Sequence, residues 1–332
     1  MKAYRICQIL LLMLLGCAAA PAQWSKRESG TLAWLHTIHF VDPDNGFAGG
    51  SNGTLLATKD GGKTWRQNAK PTEDNIKEIF FSDSRNGWIL CERNVYASGA
   101  ASPSYLLETS DAGRTWRNAE FPQLAERITH LFSAPGGARY AVGESGVLYT
   151  RANEPDGWVK RSLTVRFLML DGEFFDDRRG LVVGGGGAVL YTENGGLNWE
   201  NGVLSDNGKT KLNAIFFSDE NNGWIAGQEG KIYRTKNGGK FWQLQNSSVA
   251  ANLKDIFFAS RHEGVAVGEK GTILRTGDGG ETWRREPAVV THQLDRVYLA
   301  GKKWIAVGFG GTILTKAVGE TGDGDVKARS QK

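Results

Sequence analysis

The chain has 332 residues, with 40 lysines and arginines against 36 aspartates and glutamates, a formal charge of +4. Two of those positive charges, Lys2 and Arg5, lie ahead of an apolar run from Ile6 to Leu15. The remainder is close to neutral and implies no polyanion partner, so nucleic acid is set aside. Of three cysteines only Cys91 lies beyond the first twenty residues, which excludes an internal disulfide framework and leaves a lone strand cysteine expected to be buried.

Residues 1–22 read as a secretory signal peptide, too short in its apolar part to span a bilayer. Two processing readings stay open. Ala20-Pro21-Ala22 before Gln23 suits ordinary signal peptidase, whereas Leu14-Leu15-Gly16-Cys17 looks like a bacterial lipobox that would place lipid on Cys17. Either way the protein is expected to be exported.

From Trp24 onward a single grammar repeats. An apolar run such as Leu212-Asn-Ala-Ile-Phe-Phe217 is followed by a turn rich in Asp, Asn and Gly, then by Trp224-Ile-Ala-Gly227, a short Gly-containing link, and Lys231-Ile-Tyr-Arg-Thr235. A box then closes the unit. It reads Thr58-Lys-Asp60-Gly-Gly62-Lys-Thr64-Trp65 in its first copy, recurs around Asp111, Asn194, Asn237 and Asp278, and survives in degraded form before Trp158. The box tryptophans 65, 116, 158, 199, 242 and 283 are separated by 51, 42, 41, 43 and 41 residues. A period of about 40–45 residues with four short strands selects a propeller.

Length alone would allow two domains, but the repeat runs almost end to end and argues for one over residues 23–316, followed by a tail, 317–332, expected to be disordered. The last copy stops after three strands, and Trp24-Ser-Lys-Arg27 matches the missing outer strand. The expectation is an all-β, seven-bladed propeller of four-stranded blades, closed by the N-terminal strand completing the last blade. The box tryptophans read as structural because sheets stacked face to face need a large residue at each interface. The box Asp residues read likewise: Asn replaces them at 194 and 237, which suits a turn-forming hydrogen bond and not an acid or base.

Copies of Thr-x-Asp-x-Gly-x-Thr-Trp resemble the Asp boxes of sialidase-type propellers. The fuller pattern narrows this: Phe80-Phe81-Ser-Asp83-Ser-Arg-Asn-Gly87-Trp88, a Gly-rich link and then the box, resembles the photosystem II stability/assembly factor family. The resemblance covers residues 24–316. It implies an exported, non-catalytic scaffold that binds a newly made membrane subunit during assembly, in the thylakoid lumen if the host is photosynthetic and otherwise in the periplasm. It also implies an arginine patch on one face. Six of the links between second and third strands depart from that, with Lys270 their only basic residue, while arginines pair up at Arg178-Arg179 and Arg284-Arg285.

Two binding regions present themselves. The insertion from Glu92 to Ser104 carries Arg93 and Tyr96, residue types that interfaces favour, or is simply a tolerated loop. A ring at the channel mouth is expected from His36, Lys77, Thr129, Asn213, Lys254 and Asp295. It is either a site or solvated, and a one-residue slip replaces it by Thr37, Glu78, His130, Asp255 and Arg296. The competing class is an Asp-box carbohydrate-active enzyme or lectin, for which Asp255 and Asp295 are the candidate carboxylates. Against it, the Phe-Arg-Ile-Pro stretch of sialidases is absent. His36 and His39 fall on opposite faces of a strand and make no metal pair, and the glycines at 184–187 lead into a strand, not a helix. No cofactor, metal or catalytic residue is expected, and the protein is expected to be a monomer.

Overall fold

The computed structural model describes residues 23–93, 102–122, 125–151 and 157–318. Seven antiparallel sheets follow one another around a central channel. Their inner strands are Leu35–Phe40, Asn75–Phe81, Ile128–Ser133, Met169–Phe174, Leu212–Phe217, Leu253–Phe258 and Leu294–Ala300. The seventh sheet takes its outer strand, Ser25–Arg27, from the start of the chain, with Ser25 opposite Thr315 and Arg27 opposite Ile313. One blade differs from the four-stranded expectation. In the fifth, Val203–Leu204 adds a parallel strand outside Phe241–Gln245, and burial of Leu204 fixes it there.

Packing explains the sequence grammar. The last aromatic of an inner strand meets the box tryptophan of its own blade edge-on: Phe40 with Trp65, Phe81 with Trp116, Phe174 with Trp199, Phe217 with Trp242 and Phe258 with Trp283, at interplanar angles of 75–87°. Edge-to-face contact suits the quadrupoles of both rings. The other face of that aromatic covers the glycine that opens the second strand. A Cβ on Gly223 or Gly264 would lie 2.6 or 2.5 Å from the ring of Phe217 or Phe258. That contact is the physical content of the Phe-Phe…Gly spacing.

In six blades the link is a single 3₁₀ turn whose third residue is a glycine at positive φ, as at Gly53 (+66°) and Gly146 (+70°). Its Cβ would collide with the carbonyl of the next inter-blade loop, 1.6 Å from Thr72 O and 1.9 Å from Val165 O. Close approach lets the glycine N–H donate to that loop: Gly53 to Asp74 O at 2.7 Å, Gly187 to Thr210 O at 3.0 Å. Gly311 to Ala33 O, at 2.7 Å, joins the last blade to the first.

The boxes share one bond set. Oδ1 of Asp60, Asp111, Asn194, Asn237 and Asp278 accepts the backbone N–H four residues on, at 2.9–3.0 Å. The second carboxylate oxygen is used only where that residue is threonine: Thr64, Thr115 and Thr282 each donate to it at 2.6 Å. Where the residue is Asn198 or Phe241, nothing asks for a second acceptor, and an amide serves.

Boxes and inner turns share one end of the channel, the box face: Gly61 N–H donates to Asp44 O and Gly238 N–H to Asn221 O. Links and inter-blade loops occupy the other, the link face.

Gly264→Ala should lower stability by about 1–3 kcal/mol in denaturant melts, because the new methyl has no room beside Phe258. Adding Phe258→Leu should recover part of that loss; no recovery would locate the strain elsewhere. The boxes generate a pH prediction. Donors at Thr64 hold Asp60, and donors at Thr115 hold Asp111, down to about 2; at Asp278 burial acts in the opposite sense but the Thr282 donors prevail, again to about 2. A depressed folded-state pKa contributes stability above the ordinary value of 3.8 that is lost as pH falls toward 2. Thermal melts from pH 5 to 2.5 should therefore show a shallower acid loss in the triple variant Asp60→Asn, Asp111→Asn, Asp278→Asn; parallel curves would refute the assignment.

Candidate functional site

All seven inner strands carry a β-bulge at one position, at 35/37, 76/78, 128/130, 169/171, 212/214, 253/255 and 294/296. A bulge re-aims the side chains beside it, and here it yields two successive rings. The ring expected at the mouth, His36, Lys77, Thr129, Asn213, Lys254 and Asp295, is half-buried at the link-face end. Much of it is used internally. Asn213 donates to Leu253 O at 2.6 Å, Thr129 donates to Met169 O at 2.5 Å, and Lys254 pairs with Glu269 at 3.2 Å. Trp34 and Gln293 both donate to the Asp295 carboxylate, whose pKa burial raises. Burial, with Lys77 and Arg296 nearby, holds His36 down to about 3, so its 4.0 Å approach to Asp295 is not an ion pair.

Inside that mouth the channel cavity is walled by the next ring and the tiers beyond it. It measures about 460 Å³ and reaches from Thr37, Glu78, His130 and Arg296 past Ile79, Phe80, Leu131, Phe132, Ile215, Phe216 and Tyr298 to Pro135 and Phe175 at the box face. Most polar groups of this ring hold the neighbouring blade. Thr37 Oγ1 accepts from Ile79 N–H, Glu78 from Leu131, Asp171 from Ile215 and Asp255 from Val297, at 2.7–3.3 Å. One tier further on, His39 accepts from Phe81 and Glu173 from Phe217. His130 sits between Glu78 Oε1 at 2.8 Å and Asp171 Oδ1 at 2.9 Å. Burial alone would lower its pKa, but the two carboxylates outweigh that and raise it to about 10.

A cleft between blades two and three opens beside the cavity and shares Phe80, Leu131, Phe132 and Ser133 with it. Its cause is local. Blade three carries Ser133 where five other blades carry the aromatic under the box tryptophan, and Trp158 turns instead onto Phe121, ring centres 5.2 Å apart. In the cleft Arg139 lies over the Trp88 ring at 3.7 Å, and Arg151 reaches Glu120 at 3.4 Å. Burial and the charge of Arg151 lower the pKa of Arg139. Sequence reasoning missed this pair, although the missing phenylalanine at 133 was visible.

Arg93, expected to anchor an interface, lies over the Tyr105 ring at 4.2 Å and 3.9 Å from Asp74, within its own blade. Tyr96 lies outside the described residues, as does Cys17. Arg178 and Arg179 are in an inner turn on the box face, where Arg179 is paired with Asp176 and Glu220 at 2.8 and 2.5 Å.

A family model described as photosynthesis system II assembly factor YCF48 matches residues 17–160, 150–248 and 240–321. The chain belongs to this family. The photosystem II stability/assembly factor HCF136 of Arabidopsis thaliana is 30% identical over 158 residues, 44% of this chain and 37% of that protein. The photosystem II assembly lipoprotein Ycf48 of Synechococcus sp. (strain CC9902) is 25% identical over 144 residues, 42% of this chain and 40% of that one. The chain thus spans about two-fifths of the length of these curated relatives. A solved structure titled YCF48 bound to D1 peptide superposes with a TM-score of 0.71 at 21% identity, covering 90% of this chain and 99% of the other; at that identity the likeness speaks for the fold.

Family membership leaves the channel girdle to be tested by titration. His130 has a folded-state pKa raised above 6.5, so its contribution is complete below 6.5 and is lost as pH rises through about 10. His130→Gln should lower stability at pH 6 and should flatten the decline between pH 7 and 10.5 in chemical denaturation. An unchanged alkaline slope would refute a charged His130.

Proposed function

We propose that this protein is an exported, non-catalytic scaffold that binds a segment of a membrane-protein subunit during assembly of its complex; its relatives are named photosystem II assembly proteins, and one solved structure is titled as bound to a D1 peptide. The observation that carries the reading is the family match over residues 17–321. The box-face cleft supports it with a surface of the right chemistry. Arg139 and Arg151, set among Trp88, Trp158 and Phe132, suit an extended segment bearing acidic and aromatic side chains, since guanidinium groups bind carboxylates in a fork and stack on rings. These arginines offer the basic patch that six of the second-to-third links, with Lys270 alone, do not. Export follows the leader, and lipid on Cys17 would hold the protein at the membrane where its partner is made, an arrangement that the lipoprotein name of the Synechococcus relative favours. The carbohydrate-enzyme reading is weakened by the use of its candidate acids: Asp255 accepts the Val297 N–H, and Asp295 is held by Trp34 and Gln293.

The test is a cross-linked pull-down of tagged protein from the host's solubilised membranes, read by mass spectrometry. The native protein should recover one membrane subunit repeatedly. Arg139→Ala with Arg151→Ala should reduce that recovery at least about fivefold, an effect in the range of a lost interface anchor, while shortening the 94–101 insertion should leave it intact. Recovery of no membrane protein, or glycan turnover that Asp255→Asn abolishes, would sink the proposal.

A further inference from the structure

The charged groups that reach the channel cavity are not equivalent. Glu78, His130 and Glu173 are each committed to a neighbouring blade or to one another. Arg296 is not. Among the described residues its guanidinium makes one hydrogen bond, a 3.3 Å contact from Nη1 to the carbonyl of Asp295, and no carboxylate lies within ion-pair distance. A guanidinium has five donors and remains charged. A half-buried one without an anion bears a desolvation cost that a structural role does not explain. Above it the walls carry Ile38, Ile79, Ile215, Phe216, Val297 and Tyr298, together with His39 and Glu173, whose side chains are bonded to the following blades. A guanidinium without an ion-pair partner among the described residues, beneath walls whose polar groups are already bonded, in a volume of about 460 Å³, is the form of a small-ligand site.

We propose that the channel cavity binds an apolar carboxylate, its acid group on the Arg296 guanidinium at the floor and its alkyl or aromatic body against the walls toward the box face. A bidentate pairing of carboxylate with guanidinium supplies the charge the arginine lacks and fixes the ligand's direction. The same chemistry is presented by a free small acid and by the C-terminal carboxylate of a peptide ending in an apolar residue. Arg296 lies outside the Arg139–Arg151 cleft, although cavity and cleft share Phe80, Leu131, Phe132 and Ser133, so substitutions at the arginines test the two proposals separately.

The experiment is isothermal titration of the native protein with decanoate and 4-phenylbutyrate, each against its primary amide. A tetrapeptide ending in phenylalanine is titrated alongside, with a free and with an amidated C-terminus. At least one free acid should bind about tenfold or more tighter than its amide, the scale of a charge-assisted pair. Binding of the small acids assigns the site to a free ligand, and binding of the free-ended peptide alone assigns it to a chain terminus. Arg296→Gln, checked for an unchanged melting profile, should bring acid and amide to within about twofold of each other. Ile215→Trp, which fills the cavity and keeps the arginine, should abolish binding of both forms. The proposal is overturned if no acid binds, if acid and amide bind alike to the native protein, or if Arg296→Gln keeps the preference.

Discussion

An inner strand of a propeller has a neighbour on one side only; its other edge faces the channel, and the backbone N–H groups there must be satisfied without a strand. Here the preceding blade supplies the acceptor. Thr37, Glu78, Asp171 and Asp255 each reach forward to a backbone N–H of the following blade, and His39 and Glu173 repeat the device one tier on. Each such bond spares a buried N–H the penalty of about 1–3 kcal/mol that it would bear unpaired. The girdle also makes the blades interdependent around the ring. Where Ala214 interrupts it, Phe216 packs on Phe257 at 4.6 Å, and Tyr298 O–H donates to Phe40 O across the closure.

The girdle changes how the polar channel is to be understood. A row of Glu, Asp and His around a central hole invites a catalytic reading, yet most of these groups already have backbone or side-chain partners. The residues left over carry the functional argument. Arg296 has no ion-pair partner among the described residues, and Arg139 has a tryptophan face and a second arginine for company. Both lie in blades that depart from the regular repeat. Blade seven has lost its own outer strand, and blade three has lost the aromatic at 133. Regular copies build the ring; irregular ones leave chemistry exposed.

The boxes show the same division at smaller scale. A single Oδ1 bond to the residue four positions on appears in all five described boxes, so that atom is required of every Asp or Asn there. The second oxygen is spent on threonine where threonine is present and is dispensable otherwise. This accounts for the Asp and Asn substitution by hydrogen-bond demand alone.

The sequence by itself determined the number of blades, the order of strands within them and the family, because those follow from a period and from contacts local to one repeat: Phe with Gly and Trp, Asp with Thr, Gly with the next loop. Pairing of Ser25–Arg27 with the last blade was legible for the same reason, since Trp24 fills the position left vacant after Ala317. Tertiary structure decided the site. The bulge that shifts the lining from His36, Lys77 and Asp295 to Thr37, Glu78 and Arg296 has no sequence signature, being a register change that seven strands make in concert against their neighbours. The cleft of Arg139 and Arg151 likewise exists only because two blades meet where Ser133 leaves room. Which charged residue is answered by a partner, and which is not, depends on residues some forty positions apart brought side by side by the ring.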